Sequence, residues 1–130
     1  MEDGMMKKLF ACFLCLLLVA CGKDHAPLVE KTDNLESIIV LFSDKSNVYK
    51  DKNDMSSIIN YLKKAQWTAE SINDTPDKKE YGTITLKYKS EETKIYCYTE
   101  DNKQYFESPY IGVYEQVQAL DTFLAKLSNE

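Results

Sequence analysis

The architecture is set by the stretch Tyr81-Gly-Thr-Ile-Thr-Leu-Lys-Tyr-Lys-Ser-Glu-Glu-Thr-Lys-Ile-Tyr-Cys-Tyr-Thr99. From Tyr81 to Lys89 apolar and polar residues alternate, which is the period of a β-strand with one buried face. A polar Ser-Glu-Glu segment then turns the chain, and a second strand returns from Lys94 to Thr99. In this return strand Ile95 and Cys97 lie on one face and the tyrosines on the other. The stretch therefore predicts an antiparallel hairpin.

The flanking segments predict the remaining elements. Leu35 to Phe42 contains Ser37-Ile-Ile-Val-Leu-Phe42, a β-branched and apolar run with both faces apolar, which indicates a central strand. Asn53 or Asp54 is expected to cap a helix, because short polar side chains accept hydrogen bonds from the first turn. The other predicted elements are a short strand at Val48-Tyr49, a helix with the stripe Met55, Ile58, Ile59, Leu62 and Ala65, a loop from Thr68 to Lys79, a strand Gln104–Glu107 ended by Pro109, and a helix Tyr114–Leu127 with the stripe Val117, Leu120, Phe123, Leu124 and Leu127.

These elements predict an α+β fold. The expected order is β(β)αβββα, with an antiparallel sheet of about four to five strands and both helices on one face. The fold is expected to follow an N-terminal signal peptide.

The N-terminus carries that signal. Lys7 and Lys8 precede a thirteen-residue apolar run, Leu9 to Cys21. As a helix the run spans roughly 20 Å, short of the ~30 Å hydrocarbon core of a bilayer. It is typical of a secretory signal peptide. Because Glu2 and Asp3 are acidic where such signals are basic, translation is expected to start at Met5 or Met6.

The end of the run, Leu18-Val19-Ala20-Cys21, resembles the lipobox of bacterial lipoproteins. The resemblance implies a diacylglyceryl group on Cys21, cleavage before it, and a cell-membrane location on the extracytoplasmic face. The alternative is an ordinary secretory signal. Three regions are predicted: a lipoprotein signal peptide over 1–20, a lipidated cysteine with a flexible tether over 21–34, and a single globular domain over 35–130.

Composition narrows the function. The chain has a net charge of −5 and contains no arginine, so we expect no nucleic-acid binding, which depends on a basic face. Cleavage would also remove Cys12 and Cys15 and leave Cys21 and Cys97. With Cys21 acylated, no disulfide within the chain is expected.

Two phrases carry a family resemblance: Thr68-Ala-Glu-Ser-Ile-Asn-Asp-Thr-Pro76 and Tyr105-Phe-Glu-Ser-Pro-Tyr-Ile-Gly-Val-Tyr114. They resemble segments of a family of small lipoproteins of Gram-positive bacteria that is catalogued as a domain of unknown function. The resemblance implies a surface lipoprotein and supplies no catalytic residues.

The sequence offers little for catalysis. His25, the single histidine, lies in the predicted tether. Ser71 and Cys97 therefore lack the usual general base, and neither a zinc site nor another cofactor is expected. What remains is a carboxylate pair formed by Glu70 or Asp74 with Glu107, of the kind that glycosidases use. The alternative is that these acids are solvated or cap turns.

Aromatic residues are the stronger signal. If Ile95 and Cys97 face the helices, Tyr96 and Tyr98 stand on the helix-free face, where an exposed aromatic patch would mark a binding surface. The alternative is that these tyrosines stabilise the sheet through cross-strand pairs. The candidate binding residues are Tyr96, Tyr98, Tyr110 and Glu107.

Three functions follow as hypotheses. The first is a membrane-anchored, non-enzymatic binding or accessory module for a surface protein or cell-wall ligand. The second is a cell-wall polysaccharide hydrolase that uses the carboxylate pair. The third is a small immunity or exclusion lipoprotein.

Overall fold

A computed structural model describes residues 25–128 of the chain. Strands and helices follow one another in the order β1 (Leu35–Phe42), β2 (Lys45–Tyr49), α1 (Lys52–Lys63), β3 (Gln66–Ala69), β4 (Gly82–Tyr88), β5 (Glu92–Glu100), β6 (Lys103–Ser108), β7 (Gly112–Gln116) and α2 (Leu120–Ser128). The predicted signal peptide and Cys21 lie outside the described residues.

The strands form a seven-stranded antiparallel sheet in the spatial order β2-β1-β4-β5-β6-β7-β3. The prediction of an α+β fold with four to five strands in the order β(β)αβββα is therefore wrong, since strands dominate. The hairpin from which that prediction started is present as β4 and β5, with Ile84 opposite Ile95 and Gly82 opposite Cys97.

One face of the sheet forms the core. Side chains that alternate along each strand give a continuous apolar layer from Ile38 on β1, through Ile84 and Ile95, to Phe106 and Tyr114. The helices cover this layer with the buried residues Met55, Ile58, Ile59, Tyr61, Leu62, Leu120 and Leu124. We call this side of the sheet the core face.

Two elements were missed where the sequence pattern is ambiguous. Residues 112–116 form strand β7 instead of the start of the last helix, which begins only at Leu120. Val117 is fully exposed and takes no part in the predicted helical stripe. The start of the predicted loop, Thr68 and Ala69, belongs to the four-residue edge strand β3, which pairs with β7.

Buried glutamines join the sheet to the helix ends. The Gln116 side-chain amide donates a hydrogen bond to the Tyr61 carbonyl near the end of α1. The Gln104 side-chain oxygen accepts a hydrogen bond of 3.0 Å from the Leu120 amide at the start of α2. Helix ends leave such backbone groups without intrahelical partners, so both glutamines act as caps. The start of α1 is capped by Asp51, whose carboxylate accepts from the Asn53 and Asp54 amides, instead of by either of those residues.

The segment before β1 is packed against the domain. Leu28 and Val29 are 6% and 3% exposed and belong to the core cluster. The Tyr114 hydroxyl donates to the Ala26 carbonyl and the Tyr88 hydroxyl to the Lys31 carbonyl. For residues 25–34 the prediction of a flexible tether is therefore wrong, because two apolar side chains complete the core.

No helix within residues 25–128 is long and apolar enough to cross a membrane.

Candidate functional site

The opposite, helix-free face of the sheet carries the candidate site. Residues 70–81, which we call the strap, connect β3 at one edge to β4 near the other side of the sheet. The strap therefore has to pass over β7, β6 and β5. It covers part of the helix-free face and leaves the β1, β2 and β4 part open.

Glu107 lies beneath the strap. It alternates with core residue Phe106 on β6, so its side chain is on the helix-free face, yet it is only 3% exposed. Its carboxylate accepts hydrogen bonds from the Ser71 hydroxyl at 2.8 Å and from the Tyr98 hydroxyl at 3.4 Å. Burial, followed by the nearby Glu107 charge, raises the pKa of Tyr98 to about 12. Tyr98 therefore stays protonated and donates to the carboxylate throughout the physiological range.

Further bonds fix the strap and its flanks to the sheet. The Tyr110 hydroxyl donates to the Asp74 carboxylate. The Thr68 hydroxyl donates to the Val113 carbonyl at 2.8 Å. Near the far end of the strap, the Lys78 ammonium pairs with Glu100 at 2.6 Å and lies 5.4 Å from the centre of the Tyr98 ring.

These contacts explain the two phrases of the family resemblance. Residues 68–76 contain one partner of the Ser71–Glu107, Asp74–Tyr110 and Thr68–Val113 bonds, and residues 105–114 contain the other. The phrases are therefore two sides of a single contact. Their first role is to hold the strap on the sheet.

The uncovered part of the helix-free face presents apolar side chains to solvent. We define the open patch as Ile39, Leu41, Val48, Tyr81 and Tyr96. Leu41, Val48 and Tyr81 are 47%, 54% and 43% exposed, while the other two are half-buried. The register sets Ile39 opposite Val48, and the ring of Tyr81 meets that of Tyr96 edge-on at 5.4 Å.

The surroundings of the open patch carry lysines. A shallow groove of about 610 Å³ runs beside Ile39 and Val48 and is also lined by Lys50 and Lys87. Lys94, on the neighbouring strand β5, shares this face, since it pairs with Thr85 and alternates with buried Ile95. Acidic residues lie among these lysines, since Glu36 also lines the groove and Glu92 pairs with Lys87 across β4 and β5, so the rim of the open patch carries charges of both signs.

The structure places the residues that were predicted to form a site in different environments. Tyr96 belongs to the open patch, whereas Tyr98 is 6% exposed beneath the strap. Tyr98 and Glu107 are brought together by a hydrogen bond. Tyr110 is 64% exposed and lies apart from them, at the β6–β7 turn, bonded to Asp74. Cys21 is outside the described residues.

The candidate catalytic groups lie in different environments. The Glu107 carboxylate is buried and engaged by two hydroxyls, while Glu70 and Asp74 are exposed. Cys97 is fully buried in the core, and burial raises the pKa of its thiol to about 12, which leaves almost no reactive thiolate at neutral pH. Within residues 25–128 no group of three or more histidine, cysteine or acidic side chains is placed to hold a metal ion.

Sequence reasoning missed Leu41 and Val48 as surface residues. Leu41 sits in an apolar run whose alternate members, Ile38 and Val40, are buried. Because every residue of the run is apolar, the period-two signal that separates the buried face from the exposed face is absent. The five-residue strand β2 gives little pattern of its own.

The chain matches a protein-family model and is similar in fold to a solved structure. The family model DUF5301, described as "Domain of unknown function (DUF5300)", matches residues 23–115. A solved structure, described as "NMR structure of the protein from Ruminococcus gnavus", is similar with a TM-score of 0.67 and 30% sequence identity. That similarity covers 75% of this chain and 97% of the other. No curated protein matches the sequence. The chain belongs to the DUF5301 family.

Proposed function

We propose that this protein is a lipid-anchored, extracytoplasmic binding module that recognises another protein through the open patch. The anchor is a diacylglyceryl group on Cys21, supported by the lipobox-like Leu18-Val19-Ala20-Cys21 and the short apolar run before it. Two or more acyl chains give stable attachment, which a single chain does not.

The exposure of the open patch is the observation that carries the proposal. Leu41, Val48 and Tyr81 each expose between 43% and 54% of their surface on the side of the sheet that the helices do not cover. Scattered exposed apolar residues need no explanation, but a contiguous group on one face indicates a contact surface. Binding there would remove this apolar area from water, which is favourable by roughly 25 cal/mol per Å².

The shape and charge of the surface favour a protein as the partner. Small ligands prefer enclosed cavities, whereas the open patch lies on a broad sheet surface. Apolar centres with a polar rim are typical of protein–protein contacts. The charged side chains of both signs around the open patch, among them Lys87 and Glu92, form such a polar rim.

The binding proposal is tested by photo-crosslinking in intact cells. A photoreactive amino acid replaces Leu41 in the full, C-terminally tagged chain, and the same amino acid replaces Val117 as a matched control. Val117 is fully exposed and lies outside the open patch. We expect Leu41 to yield one dominant adduct with another protein and Val117 to yield none of it. Identical adducts from both positions, or none from Leu41, would contradict the proposal.

The anchor is tested separately by metabolic labelling with an alkyne fatty acid. The parent chain and a Cys97→Ala variant are expected to carry the label and sediment with membranes, whereas Cys21→Ala loses both properties. Label retained by Cys21→Ala would exclude the proposed anchor and leave the protein-binding proposal standing.

A polysaccharide hydrolase is not favoured by the geometry. A glycosidase needs two carboxyl groups that flank the bond to be cleaved. The buried Glu107 carboxylate, closed off by Ser71 and Tyr98, has no open side on which a sugar chain would lie.

A further inference from the structure

The two edges of the sheet differ in how they are protected. Strand β3 has four residues, a register shift between Trp67 and Ala69, and the His25 ring stacked on Trp67 at 3.6 Å. Short length, irregular register and cover all discourage pairing with another chain. Strand β2 has five residues in regular register with β1 and contains no proline. Among residues 25–128, no strand lies along its outer side.

The hairpin geometry shows which backbone groups of β2 point outward. Ser43 and Asp44 have φ angles of 48° and 62°, as in the two-residue turns that close tight hairpins. In such a hairpin the backbone groups of the flanking pair, Phe42 and Lys45, exchange hydrogen bonds. From there every second residue of β2 bonds to β1. The N–H and C=O groups of Ser46 and Val48 consequently face away from β1.

We propose that β2 pairs antiparallel with β2 of a second copy of this chain, around a two-fold axis between the two Asn47 residues. In this register Ser46 faces Val48 of the partner subunit, and Val48 faces the partner's Ser46. Each of these pairs exchanges two hydrogen bonds through groups that are otherwise left to water. The two seven-stranded sheets become one continuous sheet.

The charges at the ends of β2 complement each other in this register. Asp44 faces Lys50 of the partner subunit, and symmetry repeats the pair at the other end. A register with the two-fold axis between the two Val48 residues would instead set Lys45 opposite the partner's Asp51. The Asp51 carboxylate is already engaged by the Asn53 and Asp54 amides at the start of α1, at 3.0 and 3.1 Å. The register centred on Asn47 therefore pairs a lysine with Asp44, whereas the alternative register needs Asp51, which already caps the helix.

The symmetry also agrees with the proposed anchor, and this step rests on the proposed function. The two-fold axis of an antiparallel strand pair is perpendicular to the sheet, so both core faces lie on the same side of the dimer. Residues 25–31 run across the core face, where Tyr114 and Tyr88 hold them. Both anchors then reach one membrane, and both open patches point away from it. Attachment to a single membrane raises the effective concentration of the two copies.

The test is a cysteine scan along β2, carried out in membranes of cells that produce the full chain. Directly opposite, non-hydrogen-bonded residues lie about 4.5 Å apart between Cα atoms, which suits a disulfide. We expect Asn47→Cys to form a disulfide-linked homodimer under mild oxidation, several-fold more than Ser46→Cys or Val48→Cys. The parent chain and Thr68→Cys, on the opposite edge, serve as controls and should give no comparable product.

A second variant tests the main-chain pairing itself. Ser46→Pro removes an outward N–H that the monomer does not use, and proline is tolerated at such positions of an edge strand. Added to Asn47→Cys, it should abolish the cross-link while the circular dichroism spectrum is retained.

Several results would overturn the proposal. These are equal cross-linking at positions 46, 47 and 48, no cross-link from Asn47→Cys, or cross-links from that position only to other proteins. None of them affects the Leu41 and Cys21 experiments, so failure of the dimer and failure of the proposed function are distinguishable.

Discussion

At the scale of single residues, Glu107 shows how a buried charge is accommodated on a sheet. Its two hydrogen bonds come from Ser71 on the strap and Tyr98 on the neighbouring strand. When a buried charged group loses a hydrogen-bond partner, the free-energy cost of removing that group from water is no longer offset, and the folded state is destabilised. Ser71 therefore contributes to stability although it has no catalytic partner.

We predict that Ser71→Ala lowers the free energy of unfolding by about 1–3 kcal/mol, the usual range for a hydrogen bond to a buried charge. Urea denaturation of the chain from residue 23 onward measures it. Ser56→Ala, at an exposed position of α1, is the control and should change stability by less than about 0.5 kcal/mol. Equal stability of Ser71→Ala and the parent would mean that the strap is not held by this bond.

Cys97 gives a prediction that depends on pH. Its thiol is fully buried, and burial raises its pKa from 9.0 to about 12. Between these values the unfolded chain has lost the proton that the folded chain keeps, so stability present below pH 9 falls as the pH rises. The slope is about 1.4 kcal/mol per pH unit for one proton.

The stability difference between the parent and Cys97→Ala, measured by urea denaturation between pH 8 and 11, should change with this slope, because the contributions of buried tyrosines such as Tyr98 are common to both chains. The parent thiol should also resist labelling by a disulfide reagent at pH 8 until urea unfolds the chain. Rapid labelling of the folded protein would show that the thiol is accessible.

At the scale of elements, two glycines allow close packing for different reasons. A Cβ on Gly82 would clash with the backbone carbonyl of Leu41, whereas a Cβ on Gly112 would lie 2.5 Å from the Trp67 side chain. A side chain can move aside more easily than the backbone of a central strand.

We therefore expect Gly82→Ala to destabilise the protein more than Gly112→Ala, with about 1–3 kcal/mol for Gly82→Ala from overpacking. Gly112→Ala should instead change the fluorescence of Trp67, the single tryptophan, as its ring moves. The reverse order of stabilities in thermal denaturation would contradict this assignment.

The segment before β1 provides a further prediction. Because Leu28 is 6% exposed within the core, Leu28→Ala should cost about 2–3 kcal/mol of stability. The neighbouring Glu30 is exposed, so Glu30→Ala is a matched control. A flexible tether would make the two variants equally stable.

The elements that sequence reasoning found are those whose pattern is local. The β4–β5 hairpin and helix α1 have complete apolar periodicities of two and 3.6 residues, which their own residues display. Strand β7 was mistaken for helix because its buried alternation ends in Gln116, whose polar side chain hides the period until its bond to Tyr61 is known. Strand β3 is defined by a partner more than forty residues away in the chain.

The candidate site was only partly predictable for a similar reason. The pattern placed Tyr96 and Tyr98 on the helix-free face, but their exposure depends on the path of the strap. That path follows from the position of β3 at the far edge of the sheet, which no short segment encodes.

At the scale of the whole molecule, the packed N-terminal segment limits how far the domain can move from its proposed anchor. Only three residues lie between Cys21 and His25, so four Cα–Cα steps connect the two. They extend to about 14 Å at most, compared with roughly 45–50 Å for a tether that reached residue 34. The domain is therefore expected to work close to the membrane surface.

The position of β3 has a consequence for biosynthesis. Its single neighbour in the sheet, β7, is made after β4, β5 and β6, and α2 caps the core only when the last residues are available. A nascent chain consequently cannot complete its sheet before residues 112–116 are synthesised, nor cover its core before residues 120–128 are. Such long-range pairing slows folding and keeps the chain extended for longer. For the extracytoplasmic location that we propose, late closure of the sheet would favour passage through a narrow translocation channel, which requires an unfolded polypeptide.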